Sequence, residues 1–182
     1  MELETRRLIL RPWFDTDAES LYQYASHPDV GPVAGWPPHT SVENSLEVIR
    51  KILSAPETYA VVPKSTGMPV GSVGIMFAGD GSAPMNEQEA EIGYWIGRPF
   101  WGQGLIPEGV WALLERCFTV LERQGVWCGY YDGNEKSKRV QEKCGFVYHH
   151  TGEPAVCPMG DVRIEHFTYQ SRGQYFAGLH QK

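Results

Sequence analysis

Two short stretches of this 182-residue chain combine residue types and spacings that suit chemistry. The first is Trp101-Gly102-Gln103-Gly104-Leu105-Ile106, which leads into an apolar-striped segment. Glycines let the backbone curl so that successive N–H groups face one concavity. A helix N-terminus behind them adds positive potential, so the site suits phosphate. A tight turn that uses glycine for positive φ accounts for the same residues. Two phosphate motifs fail here. The Walker loop needs Gly-Lys-Ser/Thr, and the dinucleotide fingerprint needs a third glycine where Pro107 stands.

The second stretch runs from Asn134 through Lys136, Ser137, Lys138, Arg139 and Gln141 to Gly145-Phe146. Asn134 can cap a helix and Gly145 can end it in the left-handed conformation. Ser137, Val140, Gln141 and Cys144 then share one face, while Lys136, Lys138, Arg139 and Lys143 surround the rest. A short basic helix is commonly just a solvated face, and Ser137 alone reads as a first-turn serine.

Regular elements must position these stretches. Leu8-Ile9-Leu10 reads as a strand ended by Pro12, and Thr16 with Glu19 as a capping box opening a helix. Residues 27–38 form a turn-rich loop carrying Trp36. Ser41 caps a second helix with Val42, Leu46, Ile49 and Leu53 on one face. Strands at 59–62 and 70–77 have hairpin spacing, 79–87 is loop, and 90–97 is a strand. A helix with Pro107 and Glu108 in its first turn follows, striped by Val110, Leu113, Leu114, Cys117 and Leu121 and stopped by Gly125. Strands at 126–131, 146–150 and 163–169 flank the basic helix. The order is β-α-α-β-β-β-α-β-α-β-β, a mixed α/β sheet in a single domain spanning 1–182, as the length alone suggests.

Composition agrees. Apolar residues make up 42% of the chain, enough for a core without disulfide or metal staples. Sixteen basic against 22 acidic residues give a net charge of −6, which argues against a nucleic-acid binder and mildly favours cationic partners. Cys117, Cys128, Cys144 and Cys157 form no C-x-x-C pair and read as buried reduced thiols; no metal is expected. The charged start and the lack of an apolar run of ~18 residues imply a cytoplasmic protein without a membrane span. Monomer and homodimer both stay open.

Taken together, the two stretches resemble the GCN5-related N-acetyltransferase (GNAT) superfamily, in particular its ribosomal-protein acetyltransferase-like RimJ/RimL branch. The likeness extends over Glu4-Thr5-Arg6-Arg7-Leu8-Ile9-Leu10-Arg11-Pro12, Trp36-Pro37 and Glu91-Ile92-Gly93-Tyr94-Trp95-Ile96, besides both motifs. The family's phosphate loop begins with Arg or Gln, where this chain has Pro99. The resemblance implies acetyl-CoA as cosubstrate and a splay between two central strands. Amides of Gly102, Gln103, Gly104, Leu105 and Ile106 would hold the pyrophosphate. The backbone near Ile96 and Gly97 would pair with the pantetheine arm, and Asn134 would lie along it. Lys136, Lys138 or Arg139 would meet the ribose phosphate.

The implied reaction is direct attack of a primary amine on the thioester in a ternary complex. Many relatives have a tyrosine, the acid for the leaving thiolate, where Gln141 stands. Ser137 matches the serine of the RimL-like branch and becomes the candidate acid. Glu91 matches a strand glutamate that some branches use as base through water; a structural acceptor is the alternative. Trp36 is the best candidate for an acceptor-pocket wall. At pH ~7.4 an α-amine of pKa ~7.8 is roughly 30% neutral, but a lysine amine only about 0.1%, which leans toward α-amine acceptors. A non-catalytic acyl-CoA-binding module and a nicotinamide-binding protein are the rival readings.

Overall fold

The computed structural model describes residues 1–179. The strands are β1 (Leu3–Glu4), β2 (Leu8–Arg11), β3 (Thr58–Pro63), β4 (Gly71–Met76), β5 (Glu89–Ile96), β6 (Gly125–Tyr131), β7 (Val147–Thr151), β8 (Ala155–Val156), β9 (Val162–Arg163) and β10 (Glu165–Ser171). The helices are α1 (Ala18–Ala25), α2 (Val42–Val48), α3 (Leu105–Thr119), α4 (Glu135–Lys143) and α5 (Arg172–Leu179). Eight strands form one sheet in the order β1-β2-β3-β4-β5-β6-β10-β7, and β8 pairs with β9 separately.

Successive residues of a strand face opposite sides, and β3 uses both. Val61 joins Leu8, Leu10, Val73, Ile92 and the α3 stripe of Val110, Leu113, Leu114 and Cys117 on one face. Ala60 and Val62 join Trp13, Leu21, Ala25 and Ile49, under α1 and α2, on the other. The mixed α/β sheet is the one the sequence implies. Every pairing in the large sheet is antiparallel except β5 with β6, which are joined by the α3 crossover that parallel strands require. That parallel ladder is short. It pairs Glu89 with Gly125, Ala90 with Val126 and Glu91 with Trp127, and then the two strands diverge toward Ile96 and Tyr131. The resulting wedge is the splay.

Several local expectations need correction. Thr16 caps nothing; α1 begins two residues later, behind a 3-10 turn in which the Asp17 carboxylate accepts from the Phe14 N–H at 2.9 Å and holds Arg11. Gly125 does not stop α3, which ends at Thr119, so Leu121 falls beyond the helix; a turn through Glu122 at φ +52° follows. Gly125 instead opens β6, where a Cβ would collide with the Tyr169 hydroxyl. The β1, β8, β9 and α5 elements were not anticipated. No described helix is long and apolar enough to cross a membrane.

One buried ion pair pins α3 to the sheet. Arg116 donates through Nε to Glu57 at 2.6 Å and through Nη2 at 2.5 Å, and the Tyr59 hydroxyl donates to the same carboxylate at 2.6 Å. The Arg116 hydrogen bonds hold Glu57 below its ordinary pKa despite opposing burial. Breaking a buried pair from one side leaves a charge without its partner, a loss of about 3–5 kcal/mol. Arg116→Leu is therefore expected to lower the unfolding free energy by about 3 kcal/mol in urea titration.

Candidate active site

The glycine loop is shaped by backbone conformation. Gly102 and Gly104 sit at φ +75° and +73°, where L side chains are strained, and Gly104 is the N-cap of α3. Arg7, just ahead of β2, holds the loop from behind. Its guanidinium donates to the Gln103 carbonyl at 2.9 Å and the Gly104 carbonyl at 3.1 Å, and through Nε to Glu108 at 2.6 Å. Glu108 also accepts from the Arg7 N–H at 2.7 Å and the Thr5 hydroxyl at 2.6 Å. Burial opposes its ionisation, yet these donors outweigh it and lower its pKa. The C=O and N–H of a trans peptide point opposite ways. Pinning the two carbonyls on Arg7 therefore turns the Gly104 and Leu105 N–H groups away from it. With the Ile106 N–H they stand at the positive end of α3, where no preceding carbonyl takes them. These residues fit a pyrophosphate. Sequence reading did not single out Arg7, whose partners lie far along the chain.

Helix α4 is positioned by Asn134, whose Oδ1 accepts from the Ser137 N–H at 3.2 Å while its Nδ2 donates to the Val33 carbonyl at 3.4 Å. Lys136 reaches the loop, its Nζ lying 3.6 Å from the centre of the Trp101 ring. Lys138 leans toward Glu135 at 4.0 Å, and Arg139 is exposed on the same short helix. The Gln103 side chain folds back to donate to the Pro99 carbonyl at 2.9 Å.

The wedge offers free strand backbone. The Gly97 N–H donates to Val70 at 2.8 Å, toward β4, so ladder alternation turns the polar groups of Tyr94 and Ile96 toward β6. The Trp101 indole already donates to the Ile96 carbonyl at 2.9 Å, leaving the Ile96 N–H facing the wedge. Gly97 has less free backbone than Ile96. Its carbonyl accepts from Phe100 and its N–H is spent on Val70, while a Cβ there would lie 2.6 Å from the Tyr24 ring.

Two groups flank the wedge from opposite faces of the sheet. On the helix face, the Ser137 hydroxyl lies 2.9 Å from the Tyr94 hydroxyl and accepts from Gln141 Nε2 at 3.3 Å. On the other face, Glu91 accepts from the Ala83 N–H at 2.9 Å and from the Ser82 hydroxyl at 3.1 Å, which also lies 3.1 Å from Glu165. Burial raises the pKa of Glu91 against these hydrogen bonds. Burial, then the charge of nearby Glu91, pushes Glu165 up to about 7. Glu165, at the start of β10, was missed in the sequence, because only the sheet register brings it beside Glu91 across β6. The carboxyl lies over Gly129, where a Cβ would collide with it, while the Gly129 carbonyl accepts from Gln141 at 2.9 Å.

Trp36 packs edge-on against Trp95, with ring centres 5.7 Å apart, and is half-buried with the α1–α2 cluster. A separate cavity of about 450 Å³, lined by Val33, Tyr131, Asp132, Asn134 and Arg163 among others, adjoins the cap of α4.

Residues 7–147 match the family described as the acetyltransferase (GNAT) domain. The chain belongs to the GNAT acetyltransferase family. It is 35% identical over 127 residues to p20, an uncharacterized N-acetyltransferase of Bacillus licheniformis, covering 65% of this chain and 67% of the relative. It is 26% identical over 149 residues to YoaA, an uncharacterized N-acetyltransferase of Bacillus subtilis, covering 79% of this chain and 81% of the relative. Among solved structures, a GNAT-family acetyltransferase from Bacillus anthracis superposes with a TM-score of 0.81 at 19% identity, over 95% of this chain and 99% of that one. The ribosomal-protein-S5-alanine acetyltransferase of Vibrio fischeri superposes with a TM-score of 0.73 at 17% identity, over 96% and 98%.

Membership in this family implies acetyl-CoA use, and the loop, the wedge and Lys136 are the parts of this GNAT enzyme suited to hold it. A bound ligand at 100 times its Kd stabilises a fold by about 2.7 kcal/mol. Acetyl-CoA at that excess is expected to raise the melting temperature by several degrees. Gly104→Val, which forces a β-branched residue into left-handed backbone, is expected to abolish that rise; normal binding by calorimetry would remove the loop from the site.

Proposed function

We propose that this GNAT enzyme transfers acetyl from acetyl-CoA to a primary amine, with Glu165 as general base and Ser137 as donor to the leaving sulfur. The observation that carries the reading is the pairing across Gly129: a carboxyl with a pKa of about 7 on one face of β6 and a hydroxyl tied to the same strand through Gln141 on the other. Acetyl-CoA supplies an activated acyl carbon: the amine nitrogen bonds to that carbon, the C–S bond breaks, and the electron pair leaves on sulfur.

Glu165 suits the base role by its pKa. A base poised near neutrality is largely unprotonated at working pH yet basic enough to accept the proton lost by the attacking nitrogen. Glu91 is the weaker candidate for that role. Both its oxygens are held by the 82–83 backbone and hydroxyl, and its charge serves to keep the proton affinity of Glu165 high. On the other face, Ser137 offers one hydroxyl proton. A thiolate with pKa near 8.5 needs a hydrogen bond rather than a strong acid.

The acceptor we propose is an α-amine, entering past the cavity beside Asn134 and Tyr131. The carboxyl pair favours a cationic group on arrival, and a base of pKa about 7 is matched to an amine of pKa ~7.8 rather than ~10.4. The likeness to a ribosomal-protein-S5-alanine acetyltransferase supports a protein N-terminus within that class. Small-molecule amines are the other arm of the test.

A panel of peptides with free N-terminal alanine or serine, together with polyamines and amino acids, is to be assayed for thiol release from acetyl-CoA. Turnover of peptides above the small amines is the expected result. Binding of acetyl-CoA without turnover of any amine would instead make the chain an acyl-CoA-binding module. With the amine saturating, kcat is expected to rise with pH through about 7 as Glu165 loses its proton. Glu165→Gln is expected to lower kcat at least 100-fold and remove that limb. The same substitution has a stability signature. Folding raises the Glu165 pKa, so the carboxyl destabilises the fold increasingly as pH climbs from about 4.5 through about 7. Glu165→Gln is therefore expected to melt above the native chain at pH 8, the gap closing by pH 5.

A further inference from the structure

Four side chains from three elements meet behind Ser137. Gln141 and Ser137 share a face of α4, Tyr94 rises from β5 and Thr168 from β10. The Thr168 hydroxyl lies 2.8 Å from Gln141 Oε1, and Gln141 Nε2 lies 2.9 Å from the Gly129 carbonyl and 3.3 Å from the Ser137 hydroxyl. The Tyr94 hydroxyl lies 3.0 Å from the Ser137 carbonyl and 2.9 Å from its hydroxyl. Gln141 is fully buried and Thr168 nearly so.

Counting protons fixes the direction of the Gln141 amide. The Gly129 carbonyl can only accept, so the Gln141 amide must turn its nitrogen toward it; a flipped amide would set two acceptors face to face. That leaves the second N–H of Gln141 for the Ser137 oxygen and its Oε1 for Thr168. The single proton of Tyr94 has two acceptors beside it, the Ser137 carbonyl at 3.0 Å and the Ser137 hydroxyl oxygen at 2.9 Å. Burial pushes the Tyr94 pKa well up, so that proton is present throughout the neutral range. With either choice the Ser137 oxygen receives a hydrogen bond from Gln141. Its own proton stays available in both: it rests on the Tyr94 oxygen when Tyr94 donates to the carbonyl, and is free to turn outward when Tyr94 donates to the hydroxyl.

We infer that Tyr94 and Gln141 are positioning residues that force the Ser137 hydroxyl to act as a donor, by occupying its oxygen and by offering its proton no more than a weak resting acceptor. The inference rests on the proposed role of Ser137 as donor to the leaving sulfur. It adds that the glutamine of α4 and the tyrosine of β5 act through that hydroxyl and touch no reacting atom. A glutamine is suited to this post because its amide serves the strand carbonyl and the serine at once. A leucine of similar volume would leave both without a donor.

The test is a set of double-mutant cycles run on the best acceptor of the panel. Ser137→Ala is expected to lower kcat about 30- to 150-fold, the loss of one preorganised donor. Tyr94→Phe and Gln141→Leu are each expected to lower kcat about tenfold, as removal of an orienting partner does, with Kd for acetyl-CoA within twofold of native. In the Ser137→Ala background both substitutions are expected to lose nothing further, because the group they orient is gone. A merely structural role would lower kcat equally in both backgrounds, and that additivity would overturn the inference. So would native kcat in Tyr94→Phe and Gln141→Leu when Ser137→Ala is slow. Native kcat in Ser137→Ala itself would sink the reading of Ser137 on which the inference stands. Should Gln141→Leu fail to fold, Gln141→Glu keeps the volume and the carbonyl contact to Thr168 but cannot donate to Ser137 once ionised. Its expected loss is again absent without the serine.

Discussion

The molecule turns on the shortness of one ladder. Strands β5 and β6 share three residue pairs, and beyond Glu91 and Trp127 they part. A continued parallel ladder would consume the polar groups of Tyr94 and Ile96 and the carbonyl of Gly129, leaving no opening between the faces of the sheet. Divergence exposes these groups, and unpaired buried backbone is costly unless it finds partners. Several side chains supply them: Trp101 at the Ile96 carbonyl, Gln141 at the Gly129 carbonyl, and the Cys128 thiol at the Ile92 carbonyl, 3.1 Å away. The partners that hold the wedge open are thus also the groups that surround the proposed reacting centre.

Legibility in the sequence followed the range of the interactions. The glycines at 102 and 104, the Asn134 cap and the Gly145 terminus act on their immediate neighbours, so residue type and spacing reveal them. The Ser41 cap, accepting from the Asn44 N–H at 3.1 Å, belongs with them. The Thr16 expectation failed within the same short range because Asp17 competed for the same turn and had Arg11 to hold it. Patterns of apolar residues revealed the sheet and α3 but not where the helix stops, since Gly125 serves a cross-strand contact with Tyr169 that no local rule contains.

What stayed hidden depends on register. Arg7 and Glu108 are about a hundred residues apart, yet together they set the direction of the loop amides. Glu165 sits 74 positions after Glu91, and nothing in the intervening sequence announces that Ser82 lies within reach of both carboxyls. A lone glutamate in a strand reads as an ordinary surface residue. Its raised pKa comes from burial and from a neighbour two strands away, properties of the assembled sheet alone.

The same dependence separates the charges that the proposed reaction calls for in a net acidic chain, an anionic cosubstrate and a cationic acceptor on one strand. Positive charge stands at the start of α3, at Lys136 held against Trp101 and at Lys138 and Arg139 on the same helix, while Arg7 spends its charge on Glu108. Negative potential gathers on the opposite face, at Glu91 and Glu165. Between them lies the wedge, narrow enough that Gly129 touches both sides. Electrostatic attraction in so confined a space is only weakly screened. The sheet therefore separates the two charged regions, and the wedge between β5 and β6 is where the proposed reaction has the partners meet. A side chain larger than hydrogen at position 129 would displace the Glu165 carboxyl on which the proposed reaction depends.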